Sequence, residues 1–183
     1  ALTRWDLASL TKVVATTGAV ARLVDAGRVD LDRPVAQFLP RFDGDGKKRV
    51  TVRMLLDHTS GLPAFAPLYR SPGGRDGFID ALYRVQLSAA PGSRVEYSDL
   101  NAILLGLVVE KASGMTYEDY VEKQLFAPLG MTQSSYCNVS ENVARRAHGY
   151  AVQNGTIRRV PTNVHTWPFA AGSLCSTVGD LIT

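Results

Sequence analysis

Residues 9–27 read SLTKVVATTGAVARLVDAG, and this stretch decides the fold. Its apolar residues recur at intervals of three and four, which is the spacing of one buried face of an α-helix. Gly27 follows as a residue that readily adopts the left-handed conformation found after helix ends. The stretch therefore predicts one long, mostly buried helix from Ser9 to Ala26, with a serine and a lysine at its start.

Ser9 and Lys12 form a candidate catalytic pair at the start of this helix. Residues three apart on a helix share one face, so both side chains are expected to point the same way. The positive end of the helix dipole favours a serine alkoxide and disfavours an ammonium, and burial also favours a neutral lysine. A neutral Lys12 could then take the proton of the Ser9 hydroxyl. The alternative is a capping serine followed by a lysine whose stem covers apolar surface.

The composition limits the classes of function. The chain has 183 residues, of which 45% are hydrophobic and 20% charged, the balance of a globular protein. The net charge is +3, but the basic residues are scattered without interleaved aromatic residues, which argues against a nucleic-acid partner. There is no apolar run of eighteen residues, so no transmembrane segment is expected.

The two cysteines, Cys137 and Cys175, are too few for a disulfide framework. They have no nearby histidine cluster and no metal-like spacing. The sequence therefore implies neither a zinc site nor any other metal.

Polar residues mark the starts of four further helices. Thr51 is a predicted cap for a helix through VRMLLDH, residues 52–58, and Ser98 for DLNAILLGLVVEKAS, residues 99–113. Thr116 with Asp119 resembles a capping box that opens YEDYVEKQLF, residues 117–126. Ser176 is expected to cap a last helix, TVGDLIT.

Turn residues separate these elements. Three prolines and several glycines predict a long loop from Ser60 to Gly77, before a helix over FIDALYRVQL, residues 78–87. A turn and a strand are expected in PGSRVEY, residues 91–97. Asn154-Gly155 between two strand-like runs predicts a β-hairpin.

Four segments carry a resemblance to a known superfamily. They are DLASLTKVVATTGAVARLVDAGRVDLDRPVAQFLP, VTVRMLLDHTSGLP, YSDLNAILLGLVVEKASGMTYEDYVEKQLFAPLGM and AGSLCSTVGDL, in that order. Together they span almost the whole chain and resemble the serine β-lactamase and penicillin-binding-protein superfamily. The most similar branch is that of class C β-lactamases, D,D-carboxypeptidases and related serine esterases.

The resemblance implies a role for each site residue. Ser9 is expected to be the acylated nucleophile and Lys12 its base or proton relay. Tyr97 of YSD matches the tyrosine of the family's Tyr-x-Asn motif, whose phenol shuttles a proton between nucleophile and leaving group. None of these roles needs a metal or an organic cofactor.

Asp99 departs from the family pattern because it stands where the motif has asparagine. A carboxylate only accepts hydrogen bonds, and beside Lys12 it favours the charged ammonium. As a candidate substrate-binding residue it should also repel substrates that carry a carboxylate. Alternatively, Asp99 points away from the site as a residue of the first helical turn.

Three aromatic residues outside these motifs have a structural and a functional interpretation. His58 could act as a general base, but the resemblance favours a role in capping or packing at a helix end. Trp167 and Phe169 either line a substrate groove or pack in the core.

The family's third motif, Lys-Thr-Gly or His-Thr-Gly, is not found in this sequence. The resemblance implies an α+β, β-lactamase/transpeptidase-like fold, of which this chain forms mainly the helical domain with the nucleophile helix and one hairpin. The central antiparallel sheet is expected to be largely absent, leaving an apolar face exposed. We expect one domain over residues 1–183, incomplete at both ends.

The leading hypothesis is a serine hydrolase that forms an acyl-enzyme on Ser9, with an ester, a peptide-like amide or a β-lactam as its small-molecule or peptide substrate. The alternative is a truncated, non-catalytic binding domain with the same fold. The resemblance alone suggests a periplasmic or secreted location, and the oligomeric state is left open.

Overall fold

The computed structural model describes residues 3–137, 145–160 and 169–183. The predicted first helix is present over residues 8–25, with three successive geometries. It starts as a 3₁₀ turn, Ala8–Leu10, widens to a π-helix, Lys12–Thr17, and continues as α1, Gly18–Asp25. Gly27 has φ of +68°, which confirms the predicted left-handed stop.

Five more α-helices follow among the described residues, and their bounds are α2 Val52–Leu56, α3 Gly74–Arg84, α4 Asp99–Ser113, α5 Tyr117–Tyr120 and α6 Val178–Leu181. After α5 the chain continues as a π-helix, Val121–Phe126, and a 3₁₀ turn, Ala127–Leu129. The side chains of Thr51, Ser98 and Thr116 each accept a hydrogen bond from a backbone N–H of the first turn, which confirms three of the four predicted caps.

Three details of the predicted elements are wrong. Helix α3 begins at Gly74 and ends at Arg84, several residues earlier than predicted at both ends. No strand forms in PGSRVEY, because the Glu96 N–H donates to the carbonyl of His58 at a helix end (2.9 Å). The last helix is capped by Thr177, while Ser176 lies in a strand.

The strands form two small antiparallel sheets. β1 (Trp5–Asp6), β2 (Ser135–Tyr136) and β5 (Leu174–Ser176) are arranged in the order β1-β5-β2. The register places Trp5 opposite Ser176 and Tyr136 opposite Leu174. β3 (Tyr150–Gln153) and β4 (Thr156–Arg159) form the predicted hairpin, since Asn154 and Gly155 have φ of +49° and +75°.

The two cysteines form a disulfide, Cys137–Cys175, with their Cα atoms 5.4 Å apart. The count of two is indeed too small for a framework of several bridges. It is sufficient for one bridge that links the end of β2 to the centre of the three-stranded sheet.

Helix α4 lies at the centre of the molecule and packs against α1, α2 and the 3₁₀ turn Phe169–Ala171. A buried chain of hydrogen bonds ties this turn to the first helix. The Tyr117 hydroxyl donates to Thr16 Oγ1 (2.6 Å), which donates to the carbonyl of Ala170 (2.6 Å). Burial raises the pKa of Tyr117 to about 12, so it is a neutral donor. The turn is therefore fixed against the first helix within one turn of Lys12.

Candidate functional site

Lys12 is the centre of the candidate site, and only 7% of its surface is exposed. Its Nζ lies 3.1 Å from Ser9 Oγ, 2.8 Å from the carbonyl oxygen of Ala171 and 2.6 Å from Asp99 Oδ1. A lysine ammonium has three donors, so these three acceptors satisfy it completely. The structure therefore brings Ser9, Lys12 and Asp99 together.

The backbone before Ser9 has an unusual conformation. Ala8 has φ of +44°, in the left-handed region that costs a residue with a Cβ about 1 kcal/mol or more. Its N–H donates to Asp6 Oδ1 (2.9 Å), and the Asp6 carboxylate also pairs with Arg146 (3.1 Å). Asp6 thus holds the turn that exposes Ser9 to solvent.

Sequence reasoning missed the role of Asp6. An aspartate that accepts from the N–H two residues ahead is a recognised turn pattern, so the sequence does contain a signal. That signal lies just before the helical stretch that begins at Ser9.

The Asp99 carboxylate faces Lys12, so the alternative in which it points away from the site is wrong. Two local contacts fix this orientation. The Asp99 N–H donates to the carbonyl of Ala64 (3.0 Å), and the preceding residue, Ser98, caps α4 through Leu100 N–H (3.2 Å). The side chain of Asp99 is 41% exposed, so its charge is also accessible to solvent.

The ring of Tyr97 lies beside the same cluster. Its centroid is 4.9 Å from Lys12 Nζ, a distance at which an ammonium is attracted to an aromatic face. The other neighbour of the ring is His58, with ring centroids 4.7 Å apart. Tyr97 is thus placed next to the ion pair, and the proton-shuttling role of its hydroxyl stays a prediction.

His58 supports this part of the backbone. Its Nδ1 accepts from the Ser98 N–H (3.2 Å), so Nδ1 carries no proton and the ring is neutral. Asn101 Nδ2 also lies 3.0 Å from Nδ1. Burial lowers the pKa of His58, and the nearby charge of Lys12 lowers it further. These contacts agree with the structural role predicted for His58 and not with that of a general base.

A cavity of about 310 Å³ opens directly beside Ser9. Its polar lining residues are Asp6, Ser9, Asp99 and Ser173. The remainder is mainly apolar and is lined by Phe65, Ala66, Leu68, Tyr69, Phe78, Leu100 and Ile103. The long loop predicted over residues 60–77 supplies much of this wall.

Three further predictions concern two aromatic residues, a metal site and a membrane-spanning helix. Trp167 and the side chain of Phe169 lie outside the described residues. Within the described ranges, no three His, Cys, Asp or Glu side chains are grouped so that they could hold a metal ion. In the same part of the chain, no helix has the length and apolar character needed to cross a membrane.

Comparisons with known proteins give a consistent result. The family model described as "Beta-lactamase" matches residues 1–183. An N-acetylmuramyl-L-alanine amidase from Bacillus subtilis (strain 168) is 36% identical over 147 residues, which cover 73% of this chain and 33% of the amidase.

Solved structures agree with this match. A class C β-lactamase superposes with a TM-score of 0.82 at 28% identity, covering 99% of this chain and 49% of the lactamase. A penicillin-binding protein from Bacillus halodurans superposes with a TM-score of 0.79 at 29% identity, covering 99% of this chain and 59% of that protein. The chain therefore spans about a third of the amidase's length, about half of the lactamase's and about three-fifths of the penicillin-binding protein's.

Proposed function

Because this chain belongs to the β-lactamase family, we propose that it carries the acylation site of a serine hydrolase, with Ser9 as the nucleophile. One observation supports this most strongly: Lys12 Nζ lies 3.1 Å from Ser9 Oγ and is held there by Ala171 and Asp99. This distance is within the range for proton transfer between a nucleophile and its base.

The proposed acylation moves one proton from Ser9 to the leaving group. Neutral Lys12 takes the Ser9 proton as Oγ bonds to the substrate's carbonyl carbon. As the bond from that carbon to the leaving oxygen or nitrogen breaks, Lys12 gives the proton to the leaving atom through the Tyr97 hydroxyl. Water then hydrolyses the acyl-enzyme and restores the Ser9 hydroxyl. The substrate class is an ester, a peptide-like amide or a β-lactam.

The Asp99 carboxylate favours neutral esters and amides as substrates. Its exposed carboxylate faces the site, and a substrate carboxylate placed near it is repelled. We therefore propose that β-lactams and peptides that carry a carboxylate at this position are poorer substrates.

The second candidate is a binding domain with the same fold that does not turn over its ligand. The observation that favours it is the arrangement around Lys12 Nζ, which contacts three acceptors and is paired with Asp99.

Covalent labelling distinguishes the two candidates. The protein is treated with a fluorophosphonate, and the modified residue is located by mass spectrometry of peptides. We expect the label on Ser9, its loss in Ser9→Ala and its retention in Ser93→Ala, which removes an exposed serine outside the site. A folded protein that takes no label supports the binding domain, and label on another serine refutes the assignment of Ser9.

A further inference from the structure

We infer that the cavity beside Ser9 binds a neutral, apolar acyl group of medium length, such as an alkyl chain or a phenyl ring. This inference deepens the proposed function, on which it rests, by naming the substrate class. It depends on the shape of the cavity, on the packing of its walls and on the charges that line it.

The floor of the cavity is part of the hydrophobic core. Leu68, Phe78, Leu100 and Ile103 line it, and each is at most 8% exposed. Side chains held in a packed core keep their positions, so the floor is an apolar surface that exists before a ligand arrives. Only a ligand with an apolar surface gains free energy by covering it.

The outer wall consists of two aromatic residues that are unusually exposed. Phe65 and Tyr69 are 59% and 66% exposed, and their ring centroids are 6.4 Å apart. Arg70 lies with its guanidinium 5.5 Å from the Tyr69 ring and is not among the residues that line the cavity. An acyl group inside the cavity would cover part of these rings.

The charges beside Ser9 disfavour an anion. Asp6 and Asp99 both line the cavity. Their partners are Arg146 and Lys12, which are already paired with these two carboxylates. Among the described residues that line the cavity none is a Lys, Arg or His, and Lys12, which contacts Ser9, is already paired with Asp99. A carboxylate on the ligand therefore finds no unpaired countercharge in this part of the chain.

The size of the cavity sets the length of the group. A volume of about 310 Å³ is at the lower end of the range for small-molecule sites. With about 30 Å³ for each water-sized group, it holds roughly ten such groups. This is enough for an octanoyl chain or a phenylacetyl group, and an acetyl group leaves most of the floor uncovered.

The first experiment measures binding without catalysis, in Ser9→Ala. The ligands are octanamide, acetamide and suberamic acid, which has the length of octanamide but ends in a carboxylate. We expect octanamide to bind at least about tenfold more tightly than either of the others. Ala66→Leu, made in the same background, adds three carbon atoms to the wall of the cavity and should weaken this preference.

The matched control is Ala90→Leu, which adds the same side chain at an exposed position outside the cavity. It should leave the preference for octanamide in place. Equal binding of octanamide and suberamic acid, or equal effects of the two leucine variants, would overturn the inference.

The second experiment measures acylation, with p-nitrophenyl octanoate and p-nitrophenyl acetate as substrates of the unmodified protein. We expect kcat/KM to be at least about tenfold higher for the octanoate, and Ala66→Leu to lower this ratio by a similar factor. If octanamide binds as expected but neither ester acylates Ser9, the proposed function fails and the cavity assignment stands. If both esters acylate Ser9 at equal rates, the cavity assignment fails and the proposed function stands.

Discussion

At the scale of single residues, the ion pair between Lys12 and Asp99 places a negative charge beside the candidate nucleophile. Asp99 Oδ1 lies 2.6 Å from Lys12 Nζ, which in turn lies 3.1 Å from Ser9 Oγ. The substitution Asp99→Asn removes this charge and keeps a side chain of nearly the same shape.

The same substitution changes the selectivity for charged substrates. Acylation by β-lactams that carry a carboxylate should improve by about five- to tenfold more than acylation by neutral esters, because one unfavourable charge is removed at close range. The matched control is Asp119→Asn, which also removes a first-turn aspartate that pairs with a lysine (Lys123, 3.0 Å). Equal gains for charged and neutral substrates would show that the Asp99 charge does not act on the reaction.

His58 makes the stability of the protein depend on pH. Burial and the charge of Lys12 lower its pKa, whereas Asp57 and Asp99 act in the opposite direction and do not prevail. The unfolded chain therefore binds a proton more readily than the folded one. The contribution of neutral His58 is fully present above the unfolded pKa of about 6.5 and is lost as the pH falls below that value.

We expect His58→Asn to flatten the pH dependence of the free energy of unfolding below about pH 6.5. Asparagine tolerates the left-handed backbone at this position, where φ is +61°, and can accept a hydrogen bond from the Ser98 N–H. Urea denaturation at several pH values measures the effect. If the variant and the unmodified protein lose stability in parallel as the pH falls, another group causes the pH dependence.

The sequence predicted which residues come together better than how they contact each other. Ser9, Lys12, Tyr97 and Asp99 were all named in advance, and the structure places them in one cluster. The acceptor on Ala171 was not predicted, because a carbonyl 159 positions along the chain leaves no local pattern. The sequence also could not decide where the Asp99 side chain points, since a residue in the first turn of a helix can face the core or the solvent.

At the scale of elements, local signals were reliable and tertiary ones were not. The caps at Thr51, Ser98 and Thr116 and the Asn154-Gly155 turn depend on hydrogen bonds or φ angles within a few residues, and the structure confirms them. The strand predicted in PGSRVEY needed a partner strand, but its backbone instead bonds to the helix end at His58. Ser176 has a cap-like sequence, but strand pairing with Trp5 takes precedence and moves the cap to Thr177.

The close approach of α4 to the turn Phe169–Ala171 depends on Gly106. A Cβ at this position would lie 2.7 Å from Ala170 Cβ, which has no freedom to rotate away. We expect Gly106→Ala to lower the free energy of unfolding by about 1–3 kcal/mol through overpacking. It should also slow the labelling of Ser9, because the displaced turn carries the Ala171 carbonyl that holds Lys12.

A matched control for this prediction is Gly179→Ala in α6. A Cβ there meets Thr177 Oγ1 at 3.6 Å, an ordinary contact. We expect this variant to be neutral or slightly more stable, since alanine restricts the unfolded chain. If denaturation shows equal effects for the two variants, the packing at Gly106 does not control the position of the turn.

At the scale of the whole molecule, the first helix is buried on one side only. Leu10 and Val13 are 56% and 62% exposed, while Ala15 and Ala19 on the opposite side are fully buried. The sequence predicted a mostly buried helix because it cannot show which turns of a helix other elements cover. The exposed side chains are of the kind expected for a surface that packs against further structure.

The disulfide Cys137–Cys175 ties the end of β2 to the strand that follows the candidate site. It closes a loop with a sequence separation of 38 residues, and a bridge of that span typically stabilises a domain by about 2–4 kcal/mol. We expect the double variant Cys137→Ser, Cys175→Ser to lose that amount in urea denaturation, and the reduced unmodified protein to lose a similar amount. Ser173 and Gly172 precede β5 and line the cavity, so a loosened β5 should also slow the labelling of Ser9.

In the oxidised protein neither cysteine should react with an alkylating reagent before reductant is added. Alkylation of both cysteines without reductant, or unchanged stability of the double variant, would contradict the bridge as a stabilising contact.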